Sequence, residues 1–334
     1  MSERHNSPKT SYRWSASQSE RNVLIGRLLI LSACFGWLSA VAQETPVFRS
    51  DLALVHVDVE VSDASGPLMG LHKQDFLVKD NGHVEPILYF SQSEEPLDLI
   101  LLFDISGSMR PNIEKVAASS EKALAELKDG DRVAVMTFHS NSRLVAPFTT
   151  DLDAVAKTIN DEILGGRFGG GTRLLAGVDD AAEYFLREPR THRRRAVLIF
   201  TDNYGQRSRR GSTVVEHLWE ADALLSGLII HSAAEVAINT TAMVTNPLVA
   251  MLREGMQGVA ERTGGDTIKA DDPSDAFRDA MRRIRLRYSL YYALPEAKPG
   301  SQRKITVDLH PDAQSRYPNA RIHARKGYVV PGNG

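Results

Sequence analysis

The run 104–109, Asp-Ile-Ser-Gly-Ser-Met, places one carboxylate and two hydroxyls at alternate positions. It directly follows the most apolar of the predicted strands and precedes a segment of helical periodicity. Gly107 permits a tight turn, so a loop here can direct all three oxygens inward. Oxygen-only ligands suit a hard cation, Mg²⁺ before the transition metals. The run therefore predicts a loop that contributes Asp104, Ser106 and Ser108 to a cation site.

Two further segments supply candidate ligands. Thr172 follows the glycines 169–171, which let backbone approach closely, and it precedes a helical segment. Asp202 ends the apolar run 197–201. Taken singly, such residues also serve as helix caps or turn residues. Ligands of parallel α/β sheets bind at the carboxyl ends of the strands, so we expect Thr172 and Asp202 to lie on the same sheet edge as Asp104.

The middle of the chain, residues 97–287, alternates apolar runs with helical segments. Almost unbroken apolar runs fit strands that are buried on both faces, and helices between them fit crossover connections. The pattern predicts an α/β fold with a doubly wound, mostly parallel sheet between helices. The predicted strands are 97–103, 133–138, 196–200 and 228–230, and the predicted helices lie in 112–128 and 172–186.

Both flanks of this α/β segment have the period-2 pattern of β-strands. In residues 43–96, alternating valines from Val55 to Val61 indicate a half-buried strand. In residues 288–334, alternation recurs from Tyr288 to Tyr292 and from Ile305 to Leu309. We expect the N-terminal stretch to form a small β module that packs with the C-terminal stretch.

The N-terminal 42 residues have the features of an export signal. A polar, basic stretch leads into an apolar run, which ends in Ala-Val-Ala at 40–42, a pattern that signal peptidase accepts. We therefore expect cleavage before Gln43 and a location in the periplasm, the cell envelope or the medium. Two alternatives remain open, and both imply membrane association: a retained anchor over 23–42, or a lipoprotein box, Leu-Ser-Ala-Cys, at 31–34.

Composition excludes several classes of protein. The chain has 334 residues, of which 42% are hydrophobic and 25% charged, values typical of soluble globular domains. Its 40 basic and 42 acidic residues nearly cancel, which argues against a nucleic-acid-binding polycation. Cys34 is the only cysteine, so an internal disulfide and a multi-cysteine zinc site are excluded.

Two arginine-rich stretches and one long loop have no assigned chemistry. We interpret the cluster within 190–195 as a solvated loop and the arginines within 278–287 as a helix surface. The loop 234–254 is a candidate for partner specificity, because long loops on a rigid sheet often carry function.

Taken together, the Asp-x-Ser-Gly-Ser run, the Gly-Gly-Thr segment and the Thr-Asp strand end resemble the von Willebrand factor A domain over about 97–287. The resemblance implies a six-stranded, mostly parallel sheet and a metal-ion-dependent adhesion site. The metal is usually Mg²⁺, with Mn²⁺ or Ca²⁺ also open, and it keeps one coordination position for a carboxylate of a protein partner. The positions that match the family's five ligands are Asp104, Ser106, Ser108, Thr172 and Asp202.

Short motifs in the flanks resemble a narrower bacterial group, the von Willebrand A-related proteins of the Acidobacteria type. These motifs are Gly70-Leu71, Asp75-Phe76, Asp80-Asn81-Gly82 and 324–328. One departure concerns the turn after the last ligand, where Asn203 replaces the glycine frequent in the family. Asparagine tolerates left-handed backbone, so the turn is expected to form.

Three functions follow from these observations. The first is an exported, non-enzymatic binding module that engages an acidic residue of a protein partner through the metal. The second is a metal-dependent phosphohydrolase that uses Asp104, although Ile105 and Ser106 occupy positions where a second acid would be needed. The third is a structural protein of the cell envelope in which the metal stabilises a loop.

Overall fold

The computed structural model describes residues 53–203, 205, 208–230 and 255–332. The predicted signal peptide 1–42 and the loop 234–254 lie outside these ranges, so both stay predictions. No helix within the described ranges is long and apolar enough to cross a membrane.

Strands and helices alternate through the middle of the chain and give way to strands at both ends. The strands are β1 (Leu54–Asp63), β2 (Gly66–Pro67), β3 (Phe76–Asp80), β4 (His83–Glu85), β5 (Tyr89–Gln92), β6 (Leu97–Asp104), β7 (Arg132–Phe138), β8 (Ser142–Thr149), β9 (Arg194–Thr201), β10 (Ala223–Ile230), β11 (Thr267–Ala270), β12 (Tyr288–Ala293), β13 (Gln302–Leu309), β14 (Arg321–Ala324) and β15 (Gly327–Val329). The helices are α1 (Arg110–Leu124), α2 (Leu152–Thr158), α3 (Leu174–Arg187), α4 (Gly211–Glu220), α5 (Met256–Thr263), α6 (Pro273–Arg285) and α7 (Pro311–Arg316), and a π-helical turn (Ile159–Leu164) extends α2.

A six-stranded sheet in the order β11-β10-β9-β6-β7-β8 forms the centre of the α/β part. All neighbours are parallel except β8, which runs antiparallel to β7 at one edge. The order of the strands reverses beside β6, which begins the sheet in sequence and lies at its middle. The predicted doubly wound, mostly parallel sheet is confirmed.

Strand β6 is apolar at every position between Asp98 and Asp104. Leu99, Leu101 and Phe103 pack on one face against α1, α2 and α6. The alternate residues Ile100 and Leu102 pack on the other face against α3, α4 and α5. Because successive side chains of a strand point to opposite faces, a sheet covered on both sides needs apolar residues at every position.

The two flanks of the chain pair with each other in two antiparallel sheets. One has the order β14-β1-β12-β5, with β2 added to β1, and the other has the order β15-β13-β3-β4. The register of β1 and β12 places Val55 opposite Tyr292 and Val59 opposite Tyr288. These side chains belong to a third apolar cluster, separate from the two that cover the central sheet.

The arginine-rich stretches differ from their sequence interpretation. Arg194 and Arg195 lie within β9, and their exposed fractions are 1% and 5%. Arg285 and Arg287 are also buried, with exposed fractions of 2% and 1%. The interpretations as a solvated loop and a helix surface are therefore wrong for these four residues. Arg194 and Arg287 both form ion pairs with Asp58 of β1, at 2.9 and 3.4 Å, and so tie the flanking strands to the α/β part.

One glycine is required where α5 meets the flanking strands. Gly264 ends α5 with φ of +92°, and a Cβ there would lie 2.8 Å from the carbonyl carbon of Ala324. We expect Gly264→Ala to lower the free energy of unfolding by roughly 2–3 kcal/mol, through left-handed strain and backbone crowding. Denaturant unfolding measures this. Gly258→Ala is the matched control, because that position lies inside the same helix with open space around it, and alanine there is expected to be neutral or stabilising. Equal losses in both variants would contradict the explanation.

Candidate metal centre

The end of β6 and the glycine segment are joined through their backbones. Ile105 donates its N–H to the carbonyl of Phe138 at the end of β7, at 2.9 Å. Gly169 donates to the carbonyl of Ile105 at 2.9 Å, and Gly107 donates to the carbonyl of Gly169 at 3.1 Å. The chain between residues 104 and 109 is thus held on one side by the adjacent strand and on the other by the segment that leads to Thr172.

Four of the five predicted ligands form one hydrogen-bonded series. The backbone N–H of Ser106 donates to Oδ1 of Asp104 at 2.9 Å. The hydroxyls of Ser106 and Ser108 lie 3.2 Å apart, and Ser108 donates to Oδ2 of Asp202 at 2.5 Å. Residues separated by almost 100 positions therefore meet at the carboxyl edge of the sheet.

Thr172 lies beside this series but is not part of it. The following residue, Arg173, donates its backbone N–H to the carbonyl of His139 at 2.8 Å, which fixes the segment against the end of β7. Thr172 is 8% exposed. The structure therefore brings Asp104, Ser106, Ser108 and Asp202 into mutual contact and places Thr172 on the neighbouring segment.

Thr201 is a residue of the site that the sequence analysis left without a role. Its hydroxyl donates to Oδ2 of Asp104 at 2.8 Å and accepts from the backbone N–H of Asn203 at 3.0 Å. Asn203 has φ of +61°, so the turn after Asp202 adopts the expected left-handed conformation. The Thr-Asp pair at the end of β9 was visible in the sequence, but the partner of the hydroxyl, 97 residues away, was not.

Two carboxylates are buried at this edge, since Asp104 is 0% and Asp202 1% exposed. Burial raises the pKa of Asp104 to about 6; hydrogen bonds from Ser106 and Thr201 oppose the shift, and the negative charge of Asp202 adds to it. Withdrawing two like charges from water is costly without a cation. The pair is thus chemically suited to a divalent ion.

The donor set also bears on the kind of cation. Carboxylate and hydroxyl oxygens are ligands for Mg²⁺, Mn²⁺ and Ca²⁺. Within the ranges that the structure describes, no group of three or more His, Cys, Asp or Glu is placed to hold a metal. A cation at this edge would therefore depend on hydroxyls as well as on the two carboxylates.

A doubly wound sheet with serine, threonine and aspartate oxygens gathered at its carboxyl edge is the arrangement that the sequence resemblance implied. Residues 99–206 match the family model of the von Willebrand factor type A domain. This match covers about a third of the chain and agrees with the sequence resemblance. A comparison with curated proteins finds no match.

Several solved structures are similar to the chain at low identity. The protein BatB from Bacteroides thetaiotaomicron is 16% identical, with a TM-score of 0.45, over 56% of this chain and 97% of that one. An aerotolerance-related membrane protein from Bacteroides fragilis is 17% identical, with a TM-score of 0.43, over 56% of this chain and 98% of that one. A von Willebrand factor type A protein from Catenulispora acidiphila is 13% identical, with a TM-score of 0.43, over 86% of this chain and 76% of that one.

Proposed function

We propose that this protein is an exported, non-enzymatic interaction module that binds a divalent cation and, through it, an acidic residue of a protein partner. Von Willebrand factor type A domains commonly mediate protein interactions. The proposed ligands are Asp104, Ser106, Ser108, Thr172 and Asp202. The observation that carries the proposal is the hydrogen-bonded series that links four of these residues from the ends of β6 and β9.

The residues at the site make different contributions. The two buried carboxylates provide negative charge, and Ser106 and Ser108 provide neutral oxygens that leave the charge of a cation partly uncompensated. Thr201 orients Asp104 through its hydroxyl. A bound Mg²⁺ would supply a coordination position for the partner's carboxylate, whose charge-assisted bond would be strong in a partly dry interface.

The arrangement gives less support to a phosphohydrolase. Both oxygens of Asp104 already accept hydrogen bonds, from the N–H of Ser106 and from the hydroxyl of Thr201. The nearest carboxylate, Asp202, accepts a hydrogen bond from Ser108. These contacts hold both acids as fixed acceptors, which suits metal ligation better than attack on a phosphate or proton transfer.

Metal dependence of partner binding tests the proposal. We expect the immobilised full chain to retain a partner from cell-envelope extract in Mg²⁺ and to lose it in EDTA, while circular dichroism shows the fold intact in both. An excess of free acidic peptide in Mg²⁺ should compete with the partner. Equal retention in EDTA would reject the mechanism. A thermal shift with Mg²⁺ that leaves retention unchanged would instead favour a structural metal.

A further inference from the structure

Three of the helices that begin at the carboxyl edge of the sheet, α1, α3 and α4, start with an arginine. Arg110 is the first residue of α1, Arg173 is the N-cap of α3, and Arg210 is the N-cap of α4. None of these three helices has an acidic residue in its first turn. The N-terminus of a helix carries partial positive charge, so arginine is unfavourable there and acids are favoured. The acids found in the first turns of α2, α6 and α7 are Asp153, Asp275 and Asp312.

The charges of these arginines are available to a ligand. Arg110, Arg173 and Arg210 are exposed, as is Arg167, which lies just before the glycine segment. The guanidinium of Arg110 lies 5.7 Å from the centre of the Phe168 ring, which keeps its charge beside that segment. None of these four arginines forms an ion pair with another described residue. Arg209 differs, because its Nε donates to Asp179 at 3.0 Å.

A polar cavity of about 280 Å³ lies between the loop after β7 and the start of α3. His139, Ser140, Arg173 and Arg209 line it, together with one acid, Asp180. The hydroxyl of Ser140 donates to the carbonyl of Gly170 at 2.9 Å, so the cavity adjoins the segment that carries Thr172. Nδ1 of His139 is buried and has no hydrogen-bond partner among the described residues. The cavity therefore offers hydrogen-bond donors beside the candidate metal centre.

A balance of charges shows what this edge would attract. A divalent cation would cancel the charges of Asp104 and Asp202. The arginines at the starts of α1, α3 and α4 would then leave this part of the edge positive, although the whole chain has a formal net charge of −2 and α6 begins with Asp272 and Asp275. Arginine pairs with a carboxylate through two parallel hydrogen bonds. A single carboxylate that binds the metal does not form such a pair. The positive charge is thus in excess of what a single acidic residue of a partner would need.

We propose that the partner docks through a cluster of acidic residues, of which one reaches the metal and another pairs with Arg173 at the polar cavity. The inference rests on the proposed function and specifies the partner as an acidic protein segment. Arg110 and Arg210 surround the same edge and strengthen the attraction. Arg173 is the specificity-determining residue, because it both lines the cavity and adjoins Thr172.

Charge reversal at Arg173 tests this proposal with two synthetic peptides of equal length in a Gly-Ser background, one with a single glutamate and one with three. We expect the full chain in Mg²⁺ to bind the three-glutamate peptide about tenfold more tightly by fluorescence anisotropy. Arg173→Glu should remove that preference. The melting temperature should hold or rise, because an acid suits the start of α3. Arg321→Glu, an equal change of charge on an exposed residue of β14, should leave binding unaltered.

The outcomes separate this inference from the proposed function. Equal affinity for the two peptides, no binding of the three-glutamate peptide, or equal effects of Arg173→Glu and Arg321→Glu would overturn the acidic-cluster proposal. Calorimetric titration with Mg²⁺ alone tests the metal site independently of either peptide. Binding of a sulfated polysaccharide in EDTA as tight as that of the peptide in Mg²⁺ would show a general polyanion surface and would also overturn the proposal.

Discussion

Asp104→Asn is expected to abolish the response of the protein to Mg²⁺. If the parent chain binds the ion at the proposed site, Mg²⁺ at one hundred times its dissociation constant raises the free energy of unfolding by about 2.7 kcal/mol. The variant retains the shape of the side chain but loses the charge, so we expect no such rise. Chemical denaturation in Mg²⁺ and in EDTA, combined with calorimetric titration, measures both quantities.

In EDTA, where no Mg²⁺ is bound, the same substitution has a different expected effect on the free energy of unfolding. Because burial raises the pKa of Asp104 to about 6, the favourable contribution of its protonated form is complete below the unfolded-state pKa of 3.8 and is lost as pH rises through about 6. Asparagine has no charge to bury, but its amide nitrogen cannot accept one of the two hydrogen bonds that Asp104 accepts. The two effects oppose each other, so the variant in EDTA at pH 7.5 should be close in stability to the parent.

Asp98→Asn is the matched control for this prediction. Asp98 is a fully buried carboxylate at the opposite end of the same strand, where it pairs with Arg132 at 2.6 Å and with Arg193 at 2.5 Å. Its replacement should lower stability in both conditions and leave the Mg²⁺ response unchanged. An equal Mg²⁺ response in the parent and in both variants would contradict the metal assignment.

The features that could be predicted from sequence are those set by local pattern and by topology. A run such as 97–103 indicates a strand covered on both faces, because apolar residues occupy both odd and even positions along it. Strands of that kind bring Asp104 and Asp202 to one edge, so their proximity follows without any knowledge of side-chain contacts. Strand β8 gave no comparable signal, because an edge strand such as Ser142–Thr149 is only partly buried.

The features that could not be predicted depend on pairs of residues far apart in the chain. A buried arginine and a solvated one look alike in sequence. Arg194 is buried where Asp58, 136 residues away, accepts from its Nε and where the carbonyls of Ile284 and Arg285 accept from its other nitrogens. The role of Thr201 was hidden for the same reason. The pattern of charges along the sequence indicates only which residues are neighbours in the chain. Whether a charged side chain is buried depends on partners that the fold brings to it from elsewhere in the chain.

Arg287→Met is expected to lower the free energy of unfolding by about 3–5 kcal/mol, because it removes one of the two cations that pair with each of two acids. Asp58 then keeps only Arg194, and Glu60 keeps only Arg283. Arg287 pairs with Glu60 at 3.3 Å and with Asp58 at 3.4 Å, and it also donates to the carbonyls of Gly264 and His323. These contacts join β1, β14 and the turn after α5. Their loss should therefore weaken the attachment of the flanking strands to the α/β part.

The dependence on pH gives this prediction a second readout. Burial raises the pKa of Glu60 to about 7, and the charge of Arg287 opposes that shift. A raised pKa means that the favourable contribution of protonated Glu60 is complete below the unfolded-state pKa of 4.5 and is lost as pH rises through about 7. Without Arg287 the pKa rises further, so the variant should lose more stability between pH 5 and pH 8 than the parent does.

Two comparisons decide whether the uncompensated charge is the cause. Adding Glu60→Gln to Arg287→Met should restore part of the stability and flatten its pH dependence, because the buried carboxylate is then absent. Arg187→Met is the control, since Arg187 and Glu183 form an exposed i,i+4 pair on α3 for which we expect less than about 1 kcal/mol. Denaturant unfolding at both pH values measures all three variants. If Arg287→Met costs no more than Arg187→Met, or if Glu60→Gln adds a further loss, the buried ion pairs do not hold the flanking strands to the α/β part.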